Sequence, residues 1–211
     1  MDEDTAKVRK LLLQQTAIAG FGSFALRQSD LLKVLTEAAR VCAKGLSVPF
    51  CKVCRYRPEE NDLLIEAGCG WRAGVVGHVV SSADKTSPQG LAFTTGKPSI
   101  CNDLREDNTF KLPPFYAEHG IISTIDVVIK GDDRPYGVLE IDNTQQHDYD
   151  QHDVNFLTGF ANVLAEAVAT SARTGILQST IARMQTLVDE KDRLLEQKKV
   201  CLLYTSDAAD E

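Results

Sequence analysis

Apolar residues recur at three- and four-residue intervals along the first quarter of the chain. Val8, Leu11, Leu12, Gln15, Ile18 and Ala19 trace one face of an amphipathic helix over residues 5–26, and Gly20 and Gly22 weaken its end. Ser29-Asp30 then offers an N-cap to a second helix. Its broad apolar face is built by Leu31, Leu32, Val34, Leu35, Ala38, Ala39, Val41 and Cys42. Gly45 is the expected stop, and Pro49 follows where a helix cannot easily resume. Beyond it the period shortens. PFCKVCRYRPEENDLLIEAGCGW reads as two strands flanking a polar turn over residues 57–62 that contains Pro58 and Asn61.

The middle of the chain is irregular. Residues 71–97 are rich in Gly and Ser, but Ser87-Pro88 places a capping hydroxyl before a proline at the first helical position, which predicts a short helix over QGLAFTTG. KPSICND is a short strand candidate. LREDNTFKLPPFYAEHG is a polar and aromatic excursion with one helical turn after Pro113-Pro114, and long excursions of this kind commonly line sites. IISTIDVVIK and RPYGVLEIDN form a hairpin joined through residues 131–134 and are expected at the sheet centre. Asp150 caps a closing helix with Val154, Phe156, Leu157, Phe160, Ala161, Val163, Leu164 and Val168 on its apolar face. Farther on, Leu177, Ile181, Met184, Val188 and Leu195 follow a 4-3-4-7 spacing that suits the seam of a helical dimer, interrupted at Lys191. Helix, hairpin, irregular middle, hairpin, helix is the order of an α+β fold with a central antiparallel sheet.

Composition narrows the partners. A formal charge of -7 offers no positive field to phosphate backbones, so nucleic acid is not expected as a partner. The acidic start MDEDTAKVRK is unlike a secretory leader, and the strongest apolar runs fall short of a bilayer span, so no membrane insertion is expected. The six cysteines lack the density of a disulfide framework, which fits a cytoplasmic location. Cys51 and Cys54 share a strand, where residues three apart face opposite ways, so they are expected as buried small hydrophobes and not as a metal or redox pair. CLLYTSDAADE at residues 201–211 breaks from the charged helical run before it and resembles a translated sequencing adaptor.

The helix DLLKVLTEAARVC, the stretch SPQGLAFTTGKPSICNDL, the hairpin ISTIDVVIKGDDRPYGVLEIDN and the helix HDVNFLTGFANVLAEAV together resemble a GAF domain, a small-molecule sensor related to PAS domains, over residues 29–170. The resemblance implies terminal helices on one face of the sheet and a ligand pocket under loops and short helices on the other. It divides the chain into an N-terminal helix at 1–28, the sensor at 29–170 and a signalling helix or coiled-coil linker at 171–200. MQTLVDEKDRLLEQKKV is similar to the linker that precedes the phosphoacceptor region of two-component histidine kinases, so the expected role is regulatory: a parallel homodimer relaying ligand state to an output domain. Within the family, the cysteine placement of free methionine sulfoxide reductases is met here by Pro88 and Gln89. No Cys-His pair suits covalent tetrapyrrole attachment, and the signature of cyclic-nucleotide-binding members is not recognisable. The fragment itself is therefore not expected to be an enzyme, and neither ligand nor cofactor is named by its residues; an enzyme like the free methionine sulfoxide reductases and a ligand-free dimerisation module are the alternative readings. Trp71, His78, Phe93, Asp103, Phe110, Tyr116, His119 and Ser123 are the candidate pocket residues, mixing aromatic walls with polar groups.

Overall fold

In the computed structural model, which describes residues 3–207, the chain divides between Ala169 and Thr170 into two units. The first opens with α1 (Glu3–Ala25) and α2 (Leu31–Leu46). Asp30 caps α2, its side chain accepting the Lys33 N–H. The helix runs one residue beyond Gly45 and ends where Ser47 turns left-handed and its N–H returns to the carbonyls of Ala43 and Lys44. Gly45 is kept small by packing: a Cβ there would lie 2.4 Å from Cζ of Phe156. The glycine marks a close helix crossing and not the helix end that its position suggested.

Six strands follow, interrupted by two short helices: β1 (Phe50–Arg57), β2 (Asp62–Cys69), β3 (Val80–Ser82), α3 (Pro88–Thr95), β4 (Ser99–Cys101), α4 (Pro114–His119), β5 (Ser123–Ile129) and β6 (Gly137–Asn143). They form one antiparallel sheet in the order β3-β2-β1-β6-β5-β4. The expected hairpin β5–β6 is present, but the sheet centre is the β1–β6 pair, with Lys52 opposite Glu140 and Val53 opposite Leu139. β5 stands one strand farther out. β3 is too short for a periodic signal and pairs with β2 at the edge.

Strand alternation separates two layers. Cys51, Val53, Ile125, Val127, Leu139 and Ile141 face the helices, where they pack with Phe21, Leu35, Phe156 and Phe160. Cys54, Val138, Leu63 and Ile65 lie in a second cluster with Phe115, Tyr116 and Trp71, supplied by α4 and the loops. Cys51 and Cys54 therefore fall in different layers, both fully buried, and burial pushes both thiols well above the usual value. The last helix, α5 (Gln151–Asp207), closes the first core through Phe156, Leu157, Phe160 and Leu164, while the Asp153 carboxylate pairs with Lys10 of α1 at 3.0 Å.

The second unit is helical from Thr170 onward within α5. Leu177, Ile181, Met184, Leu187, Val188 and Leu195 are all exposed on it. Of the adaptor-like stretch, residues 201–207 continue the helix and residues 208–211 lie outside the described residues. No helix among the described residues is long and apolar enough to cross a membrane.

Candidate functional site

The sheet face turned away from the long helices carries charges in its most central strands. β1 reads Cys51-Lys52-Val53-Cys54, β5 contains Thr124-Ile125-Asp126, and β6 contains Glu140-Ile141-Asp142. Antiparallel register sets Lys52, Glu140 and Asp126 in one row across three strands, with Asp142 and Thr124 paired in the next. All five side chains are fully buried. A buried charge is costly unless it is paired and hydrogen-bonded, so these partners account for one another. Lys52 Nζ lies 2.8 Å from Glu140 Oε1 and 2.7 Å from Asp142 Oδ2. The Tyr116 hydroxyl donates to Glu140 Oε1 at 2.7 Å and accepts from the Gln89 amide.

Aromatic rings close the site. Nζ of Lys52 stands 4.9 Å from the Trp71 ring centroid, 5.4 Å from Phe115 and 4.8 Å from Tyr116, a cation–π arrangement on three sides. Trp71 is anchored by its indole N–H, which donates to the Cys51 carbonyl at 2.9 Å, and it stacks on Phe50. α4 supplies Phe115 and Tyr116. Pro114 starts that helix, and Gly120, left-handed at φ 65, ends it. Gln89 reaches the site from the first turn of α3, where Ser87 caps the helix by accepting the Gly90 N–H.

The electrostatics are those of a dry, carboxylate-rich enclosure. Burial pulls the Lys52 ammonium down, but the adjacent Asp142 and Glu140 outweigh it and hold its value above normal. Burial, reinforced by Glu140, pushes the Asp126 and Asp142 carboxyls well up against the opposing influence of Lys52. Tyr116 is likewise pushed up by burial and by Glu140. Asp126 and Glu140 are register partners on adjacent strands, and two carboxyls can bond to each other only when one of them holds a proton. Among the described residues no donor reaches either Asp126 oxygen, Glu140 Oε2 or Gln89 Oε1, and Thr124 Oγ1 also lacks a partner. Buried polar atoms are nearly always satisfied, so this concentration of unpartnered acceptors sets the face apart from the rest of the core.

A GAF-domain model matches residues 30–168, well over half of the 211. The chain belongs to the GAF family. No curated protein sequence matches it. Among solved structures, this GAF domain is similar to that of a phosphoenolpyruvate-protein phosphotransferase from Coxiella burnetii, at 16% identity and TM-score 0.72, covering 79% of this chain and 98% of that one. It is similar also to the corresponding GAF domain from Acinetobacter, at 18% identity and TM-score 0.67, covering 77% and 96%. A third likeness is to free methionine-R-sulfoxide reductase from Neisseria meningitidis, solved with its substrate, at 17% identity and TM-score 0.68, covering 79% and 93%. At these identities the likeness is one of fold.

Of the candidate pocket residues, the GAF fold brings Trp71, Tyr116 and His119 together. His119 packs edge-on against Trp71, its Nδ1–H directed to the Phe115 carbonyl at 2.7 Å while Nε2 accepts the Arg72 N–H. Phe93 and Phe110 belong to the same apolar layer, with the Phe93 ring tilted against Tyr56 at 4.5 Å between centroids. The other three stand apart. His78 is exposed, its Nδ1 3.1 Å from the Val76 carbonyl, and Asp103 pairs with Arg105, whose guanidinium holds its carboxyl below the usual value. Ser123 has the odd strand parity that turns it from the charged row, and its hydroxyl donates to the Gln145 carbonyl. Lys52, Gln89, Asp126, Glu140 and Asp142 were not among the candidates. The available signal for the four charged residues was charge at alternate positions of strands that are otherwise apolar; Gln89, in the first turn of α3, carried no such signal.

Proposed function

We propose that this GAF domain is the sensory module of a signalling protein and binds a small molecule at the charged row beneath Trp71 and Tyr116. The observation that carries the reading is the set of fully buried, unpartnered acceptors on Asp126, Glu140 and Gln89 beside Lys52. A stable core has no use for such a group unless something satisfies it in at least one working state. Its position supports a relay: β5 and β6 carry the row on one face and pack against α2 and α5 with the other. Ligand binding would then bias the helical layer, provided that the ligand has different affinities for the two helix arrangements.

The output side of the proposal is a parallel homodimer in the cytoplasm. Leu177, Ile181, Met184, Val188 and Leu195 form an exposed stripe at near-heptad spacing, and a second copy of the same helix is the surface it suits. The effector would be an output domain of histidine kinase type, in keeping with the linker resemblance. The alternative is an enzyme like the sulfoxide-reducing relative. Burial works against that alternative, because it pushes the thiols of Cys54 and Cys101 upward and leaves little thiolate at neutral pH.

The test is a thermal-shift survey of the chain against a metabolite library, repeated with Trp71→Ala. A compound that stabilises the parent and not the folded variant supports the reading. Uniform silence, or stabilisation that survives Trp71→Ala unchanged, rejects it. Turnover of a sulfoxide abolished in a Cys101→Ser variant would favour the enzyme.

A further inference from the structure

The charged row also constrains the chemistry of the ligand, on the reading that this row is the receptor. Three buried carboxyl groups, Asp126, Glu140 and Asp142, share a single cation, Lys52. That cation is engaged by Glu140 Oε1 and both oxygens of Asp142, and it does not reach Asp126. Two negative charges are left to be balanced, and in a dry site they are balanced by bound protons or by another cation. Asp126 and Glu140 stand directly opposite each other on adjacent strands, where one proton held between them would offset one of those charges.

We propose that the ligand carries a protonated primary amine, seated against Asp126 and Glu140 beside Lys52, and that it enters in exchange for a proton held between those carboxyls. The free acceptors are Asp126 Oδ1 and Oδ2, Glu140 Oε2 and Gln89 Oε1. An ammonium presents three divergent N–H donors and suits acceptors arriving from different strands, whereas a quaternary ammonium presents none. An anion would meet three carboxyls. Among the described residues no group of three His, Cys, Asp or Glu side chains is arranged to hold a metal ion. The exchange balances: the amine arrives as R–NH3+, one carboxyl proton leaves to solvent, and the net charge of the row is unchanged.

This exchange makes affinity depend on pH. The titratable groups bearing on Asp126 are Glu140 and Asp142 from β6, Lys52 and Cys54 from β1, Cys101 from β4, Tyr116 from α4 and Tyr149 before α5. Burial pushes the cysteines and tyrosines upward, so they stay neutral in mild acid, and Lys52 stays charged. Asp126, its carboxyl pushed up by burial, is left as the proton donor, and amine binding should tighten as pH rises through its range.

The experiment titrates the full chain with the free α-amino acids and with n-propylammonium, using the matching 2-hydroxy acids, 1-propanol and propionate as amine-free controls. Trp71, the only tryptophan, reports binding by fluorescence, and calorimetry in buffers of different ionisation enthalpy counts protons. At least one amine is expected to saturate the Trp71 signal with proton release, its control to be silent, and Asp126→Asn to weaken it about tenfold or more. Should Asp126→Asn fail to fold, the buffer dependence of the parent's heat decides alone. Binding without proton release, or a Trp71 response to amine-free compounds only, overturns the inference while leaving the receptor reading intact. If no compound in this set or in the metabolite survey alters Trp71, both are withdrawn.

Discussion

Replacing Lys52 with Met keeps an unbranched, largely apolar stem one atom shorter and removes the ammonium, with its charge and its N–H donors. In the parent, Nζ makes contacts of 2.8 and 2.7 Å with two carboxylates at complete burial. Deleting one member of such an arrangement leaves uncompensated charge in a low-dielectric interior, a cost of roughly 3–5 kcal/mol, against about 1 kcal/mol or less for an exposed pair. The pH dependence follows from the directions of the shifts. Asp126 and Asp142 titrate above their unfolded value, so the folded state keeps protons that the unfolded chain has released. Their contribution is therefore present in acid and lost as pH rises from about 3.9 through the folded value. Lys52 opposes that shift, and its own raised value stabilises the fold at every pH below about 10.4. Without it the carboxyls move up further. The penalty of Lys52→Met should be roughly 3–5 kcal/mol at pH 8 and smaller at pH 5 by at least about 1.4 kcal/mol, the worth of one pKa unit. Urea unfolding followed by Trp71 fluorescence at both pH values measures it. A variant folded at pH 5 and unfolded at pH 8 is the same result in its strongest form. A penalty under about 1 kcal/mol at both pH values, or one that grows toward acid, refutes the reasoning.

Three further outcomes follow from the packing. Gly137→Ala would place a Cβ 1.8 Å from the Cys54 carbonyl oxygen at the centre of the sheet, and chemical denaturation should register a loss of roughly 3 kcal/mol or an insoluble product. Ser87→Ala removes the cap of α3 and the hydroxyl's bond to the Ser82 carbonyl, for a loss of about 1 kcal/mol on the same scale. Joint Ile181→Glu and Val188→Glu substitutions place charge on the exposed stripe. Light scattering should show a dimer for the parent and a monomer for the variant, with the circular dichroism of the first unit unchanged; a monomeric parent would remove the dimer proposal.

The long helices and the hairpins were legible because their signals are local. Asp30 and Ser87 announce their caps, and each lies within three residues of the N–H it accepts. The turn after Pro113-Pro114 is likewise written in adjacent residues, and α4 stands there. The β1–β6 pairing at the sheet centre was not legible, since it joins residues separated by the whole irregular middle and no local pattern encodes its register. The charged row escaped for the same reason. Lys52, Asp126, Glu140 and Asp142 each look like a solvated position of a half-buried strand, and only the register, with α4 and Trp71 laid over it, turns four surface-like charges into one buried network. Trp71 and Tyr116 stood out in the sequence as large rings in irregular segments, which tend to cover an apolar surface. Trp71 and Tyr116 found that surface above Lys52, and Ser123 did not because its strand parity faces the helices.

The proposed role of the charged row as the place where this GAF domain receives its ligand is open to direct observation. It is tested most directly by a proton–nitrogen NMR spectrum that observes the Lys52 side-chain ammonium and the Trp71 indole N–H together, recorded during titration with a compound that stabilises the chain. Both resonances are expected to move along one saturable curve, since Nζ lies 4.9 Å from the Trp71 ring. Binding that shifts resonances elsewhere and leaves these two unmoved would contradict it.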